Sequence, residues 1–152
     1  MQDLGLRRTE ANAWANLALI AAAAGDGPVA VARAEHGLTV SREIGAWLPE
    51  AGALMALGMV ALERGEPDEA VSRIGAAWKL MEARGEPEFA PVVRAWLGAA
   101  VLRAGGDASE HLRAARASGL SDAVAVCDVV EGRPVAHAPV HVRVAQRVFA
   151  SA

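Results

Sequence analysis

Two interleaved sets of glycines and one set of leucines recur every 40 residues along this chain. A fixed period of this length indicates repeated supersecondary units, each of which buries its apolar face only against its neighbours. The two glycine sets lie half a period apart, so that each unit consists of two segments separated by a glycine. The sets are Gly5, Gly45 and Gly85; Gly25, Gly65 and Gly105; and Leu17, Leu57 and Leu97.

The segments between the glycines have the periodicity of amphipathic helices. Trp14, Leu17 and Ala21 follow the spacing i, i+3, i+7 and therefore share one helical face. Glycine favours the left-handed conformation that ends a helix, while Pro28 and Pro67 suit the first turn of the helix that follows. The chain is 53% apolar but only 4% aromatic, which favours close packing of helix on helix. The pattern predicts helices over residues 8–24, 28–44, 49–64, 67–84 and 88–104, and shorter ones over 108–118, 121–131 and 139–150.

The repeated residues resemble the tetratricopeptide signature, in which Trp, Leu, Gly and Tyr are followed by Ala and Phe at fixed spacing. The usual period of that family is about 34 residues. The longer period here is similar to that of arrays in bacterial signal-transducing ATPases, cyclases and kinases. The matching residues are Trp14, Leu17, Ala18, Ala21, Ala30 and Ala34 in the first unit; Leu54, Leu57, Gly58, Ala61, Ala70 and Ile74 in the second; and Leu97, Gly98 and Val101 in the third.

This resemblance implies an all-α fold in which antiparallel helix pairs stack as a right-handed superhelical solenoid. We expect one domain over residues 1–152, in which residues 119–152 form a degenerate pair or a C-terminal helical cap. Asp3 to Arg8 aligns with the end of a second helix, so we expect the chain to belong to a longer array. The expected repeats cover residues 8–44, 48–84 and 88–118.

In the tetratricopeptide family, the first helix of each pair (helix A) lines a concave groove. The matching positions here are mostly apolar, and Met55 and Met59 are suited to an adaptable partner surface. The resemblance therefore implies a protein-interaction module that binds a helical segment of a partner. The alternative is that these residues only pack against neighbouring helices. The predicted groove residues are Asn12, Asn16, Leu19, Met55, Met59, Leu62, Val92, Trp96 and Leu102.

Two further hypotheses concern ligands and self-association. The array can instead sense a small effector, as a module of a transcriptional or signalling regulator. Leu19 and Ile20 lie on a flank of the first helix that no earlier helix covers, so we expect a homodimer through the N-terminal repeat or a partner domain there.

The sequence contains no pattern typical of catalysis, and we expect a protein that is not an enzyme and needs no cofactor. Cys127 lies in an apolar stretch, as a buried structural thiol does, and His137 and His141 are separated by a proline and lack further metal ligands. A net charge of −3 does not favour nucleic acid as a partner. Without a secretory signal or a membrane-spanning segment in the sequence, we expect a cytoplasmic protein without a membrane partner.

Overall fold

The computed structural model describes residues 3–135 and 139–149 of the chain. These residues form eight α-helices joined by turns and loops, and no β-strand. The predicted all-α class is therefore confirmed for these residues. The helix ends differ from the predicted ones by at most four residues, the largest difference being the earlier start of α1. The helices are α1 (Leu4–Ala23), α2 (Gly27–Ile44), α3 (Trp47–Glu63), α4 (Pro67–Arg84), α5 (Ala90–Arg103), α6 (Ser109–Ala117), α7 (Ser121–Val130) and α8 (Val142–Phe149).

The repeated glycines act as helix terminators, with one exception. Gly45 and Gly85 are C-caps with φ values of 68° and 59°, a left-handed conformation that side chains with a Cβ rarely adopt. Gly25, Gly65 and Gly105 also have positive φ and come immediately after the C-cap residues of α1, α3 and α5. Gly5 differs because it lies inside α1, where its amide donates to Asp3 Oδ1. Residues 4–8 thus continue α1 and do not form the end of a preceding helix, contrary to the alignment.

Helix packing follows the order of the chain up to α7. Each helix contacts the next, and because short turns join long contacting helices, neighbours run antiparallel. The odd-numbered helices α1, α3 and α5 also contact in series, as do α5 and α7. We call α1, α3 and α5 the A helices; they share one direction because one antiparallel helix lies between each of them and the next.

Close approach of helices explains the glycines within them. A Cβ added at Gly58 would overlap Ile74 Cγ1 and lie 2.9 Å from its Cδ1, so α3 and α4 cross at a point with no room for a side chain. Gly98 has the equivalent role in the next repeat, since a Cβ there would lie 2.9 Å from Leu112 Cδ2 of α6.

The periodic leucines are not equivalent in burial. Leu57 and Leu97 are buried, as their place in the repeat predicts. Leu17 is 40% exposed, because the buried stripe of α1 runs through its alanines, among them Ala11, Ala18 and Ala22.

The centre of the fold is α3, which contacts α1, α2, α4, α5 and α8. All residues from Ala53 to Leu62 are buried, as expected for a helix that is apolar on every side. The last described helix, α8, contacts the preceding helix α7 and also α1 and α3, so it lies against the first helix of the fold. No helix among the described residues is long and apolar enough to cross a membrane.

Candidate functional site

The residues predicted to line the groove fall into two groups. Asn12, Asn16 and Leu102 are exposed, and Leu102 retains 43% of its surface. Leu19 and Val92 are partly buried and pack against the core. The remaining four, at the centre of the set, have almost no accessible surface: Met55, Met59, Leu62 and Trp96. A partner has no access to these four while the described packing persists.

These four residues are buried where α3 and α5 pack against their neighbouring helices, and α8 adds a further contact to α3. Helix α8 has one strongly apolar face, on which Val142, Val144 and Ala145 are completely buried. Val148 and Phe149 extend that face and are partly buried against the core. An isolated helix of eight residues is unstable in water, so α8 owes its conformation to the surface beneath it.

Arg147 is the main polar anchor of α8. Its Nη1 and Nη2 atoms donate to the carbonyl oxygens of Ala23 and Ala22, each at 2.9 Å. These carbonyls belong to the last turn of α1, which carries the negative end of the helix dipole. The Ala22 carbonyl also accepts from the backbone amide of Gly25 at 3.0 Å. Arg147 therefore caps the C-terminus of α1 from a distant region of the sequence.

Glu63, at the end of α3, completes the binding of this guanidinium. Its two carboxylate oxygens accept from Arg147 Nη2 at 2.6 Å and from Nε at 3.0 Å, which is the bidentate geometry that arginine and carboxylate favour. The hydrogen bond with Glu63 raises the pKa of Arg147 above its ordinary value, so the charge is permanent. The ends of α1 and α3 thus form a joint acceptor for one cation.

Two further contacts tie the ends of α8 to α5. Immediately before α8, the imidazole of His141 accepts at Nδ1 from the indole Nε1 of Trp96, at 3.3 Å. At the other end, the guanidinium of Arg103 lies 5.8 Å from the centre of the Phe149 ring, within cation–π range. The fully buried Trp96 has a polar N–H that needs an acceptor, and His141 supplies one.

Burial determines the ionisation of His141. Desolvation lowers its pKa below the ordinary value of 6.5, and Asp122 of α7, whose Oδ2 lies 3.6 Å from Nε2, partly counteracts that shift. A lowered pKa keeps the imidazole neutral near pH 7, and only a neutral ring can accept at Nδ1. His137, the other member of the histidine pair in the sequence, lies outside the described residues.

Charged groups elsewhere pair with one another. Arg116 bridges Asp128 at 2.9 Å and Glu131 at 2.8 Å, and Glu69 accepts from Arg73 at 2.8 Å on the exposed side of α4. Among the described residues, no three His, Cys, Asp or Glu side chains come together as a metal site would require.

Sequence reasoning identified the buried thiol but not the Arg147 contact. Cys127 is fully buried, and desolvation raises its pKa to about 11. Arg147 and Glu63 lie 84 residues apart and follow no motif. The available signal was the apolar spacing of Val142, Ala145 and Phe149, which indicates an amphipathic helix but not the surface that it covers.

The chain matches no protein-family model, and neither curated proteins nor solved structures include a significant match to it.

Proposed function

We propose that this chain is a protein-interaction module, a tetratricopeptide-like array whose A-helix surface binds an amphipathic helix of a partner polypeptide. The repeated helix ends at Gly25, Gly65 and Gly105 and the repeated close approaches at Gly58 and Gly98 support the array. The spacing of the repeat is similar to that of bacterial signalling proteins, so the setting that we propose is a larger signalling or regulatory protein.

One observation carries the proposal: an amphipathic helix, α8, already lies on α1 and α3. Its packing supports the view that this surface has the shape and chemistry to hold a helix, since it buries the apolar face of α8 and satisfies Arg147. Helix-in-groove recognition works through the same elements, namely apolar anchors at helical spacing and a few oriented polar contacts.

Selection of helical peptides from a display library against the full chain tests the proposal. A binding helix should lose at least about tenfold in affinity when Leu102→Asp or Asn16→Lys alters the A-helix surface. Glu82→Lys, at an exposed position of α4, is the matched control and should leave the affinity unchanged. If no helix is selected, or if Glu82→Lys weakens binding as much as the A-helix substitutions do, the proposal is wrong.

A small-ligand effector module is the second candidate, because a cleft of about 420 Å³ lies beside α6 and is large enough for a metabolite. The cleft is lined by three arginines, Arg113, Arg116 and Arg133, and by two acidic residues, Asp107 and Glu131. Arg116 and Arg133 already pair with Glu131, so Arg113 is the residue that we expect to bind an anionic ligand. A thermal-shift screen with metabolite carboxylates and phosphates tests this function. A stabilising ligand whose effect disappears in Arg113→Ala would support it.

A further inference from the structure

The position of α8 departs from the regular order of the array. A second helix of a fourth unit would contact α7, as α8 does, but α8 also contacts α1 and α3. Its main polar anchors are on those two helices, far away in sequence. The chain therefore covers the C-terminal ends of α1 and α3 with its own last described helix.

The contacts of α8 specify what that surface binds. The apolar contacts are made by one face of α8, which includes the buried residues Val142, Val144 and Ala145. The polar contact is made by one guanidinium close to the C-terminus of the bound helix, which donates to Glu63 and to two carbonyls in the last turn of α1. A lysine would be a poorer match, because only a guanidinium donates in parallel to both carboxylate oxygens and to two carbonyls.

We propose that α8 is an intramolecular competitor for the partner site, and that the partner helix carries the same chemistry: an apolar helical face with an arginine that takes the place of Arg147. This inference rests on the proposed function and deepens it.

The size of α8 is compatible with such a competition. A tethered segment acts at an effective concentration in the millimolar range, so even a weakly binding helix occupies its site. The contact is nevertheless short, eight helical residues, and the ion pair of Arg147 is partly exposed, which limits its strength. A longer partner helix with the same anchors can therefore displace α8.

A labelled peptide with the sequence of residues 139–149 tests this in the full chain. Arg147→Glu places a negative charge against Glu63 and the end of α1, and so should release α8 and open the site. The matched control is Arg143→Glu, the same charge reversal at an exposed position of the same helix. By fluorescence anisotropy, the peptide should bind Arg147→Glu at least about tenfold more tightly than the natural chain or Arg143→Glu.

Further arms separate the inference from general destabilisation. Far-UV circular dichroism checks that each variant is folded, and Arg147→Gln serves as a milder substitution that should give an intermediate gain. A peptide that itself carries Arg147→Glu should bind none of the chains. The inference is overturned if folded Arg147→Gln and Arg147→Glu bind the natural peptide no better than Arg143→Glu does.

Equal and tight binding of the peptide to all chains would also overturn it, because the surface would then not be blocked by α8. The proposed function fails separately, when no partner helix is selected from the library. If a selected helix binds the natural chain but does not compete with the 139–149 peptide on Arg147→Glu, the interaction function stands and α8 is not its competitor.

Discussion

The crossing of α3 and α4 at Gly58 yields a prediction with an unusual sign. Replacing glycine by alanine inside a helix normally stabilises a protein by about 0.5–1 kcal/mol, because alanine loses less backbone entropy on folding. At Gly58 the new Cβ would overlap Ile74 Cγ1. Ile74 is completely buried, so its side chain can make room for the new Cβ only if the packed atoms around it move as well.

Overpacking of this kind costs about 1–3 kcal/mol, which exceeds the gain in helix propensity. We expect Gly58→Ala to reduce the free energy of unfolding by about 1–2 kcal/mol. For a chain of this length, the melting temperature should fall by about 2–8 °C, at about 2–4 °C for each kcal/mol. Chemical denaturation and thermal melting, both followed by circular dichroism, measure these two quantities.

Gly75 of α4 is the matched control, since a Cβ there would lie 3.9 Å from Leu97 Cδ1, an ordinary van der Waals distance. Gly75→Ala should therefore stabilise the chain by up to about 1 kcal/mol. In an Ile74→Ala background the conflict is removed, and Gly58→Ala should become neutral or stabilising. If Gly58→Ala raises the melting temperature as Gly75→Ala does, α3 and α4 do not approach as closely as described.

Three further predictions concern single side chains. Because the folded-state pKa of His141 is lowered, the unfolded chain binds more protons than the folded chain once the pH falls below about 6.5. The urea midpoint of unfolding should therefore decrease between pH 7.5 and 5.5. The decrease should be smaller in His141→Asn, whose amide oxygen can still accept from Trp96. An equal decrease in both chains would contradict the role of His141. Cys127 should react with a thiol reagent at pH 8 only after unfolding, because the thiol is buried and its pKa is raised to about 11; rapid modification of the folded chain would refute this. Ile20 is 59% exposed on α1, so light scattering over a concentration series should show a dimer that Ile20→Glu dissociates. A monomer at every concentration would mean that the N-terminal face has no role in self-association.

The sequence predicts the helices well because each signal for them is local. Gly45 and Gly85 end helices through their own backbone preference, and Pro67 starts α4 at the predicted residue. The repeat adds information about packing, since Gly58 and Gly98 occupy the same place in successive units and both face a side chain of the following helix. Those contacts join helices that follow one another in the chain, and the period of the sequence already predicts that such helices pack together.

The covering of the A-helix surface is not predictable in this way. Periodicity shows that α8 has an apolar face, but every other helix also offers an apolar face to it. Glu63 and the carbonyls at the end of α1 hold Arg147 on these two helices, and only the tertiary fold brings these groups together. The hydrogen bond between Trp96 and His141 likewise joins residues with no shared pattern. Position in the repeat therefore identifies candidate groove residues but does not predict their burial.

The shared direction of the A helices gives the surface a polarity that also constrains any partner. Helix ends that point the same way bring their free carbonyls, and the dipoles behind them, to one edge of the fold. At the end of α1 this edge accepts Arg147, at the end of α3 it supplies Glu63, and at the end of α5 Arg103 contacts an aromatic ring instead. A bound helix would consequently find acceptors for its own cation near the ends of α1 and α3, and the guanidinium of Arg103 near the end of α5. The favourable arrangement is that of α8, in which the arginine lies over the ends of α1 and α3 and an aromatic side chain two residues later contacts Arg103. A partner helix with this spacing should bind in the same direction as α8. A peptide with the reversed sequence should not bind.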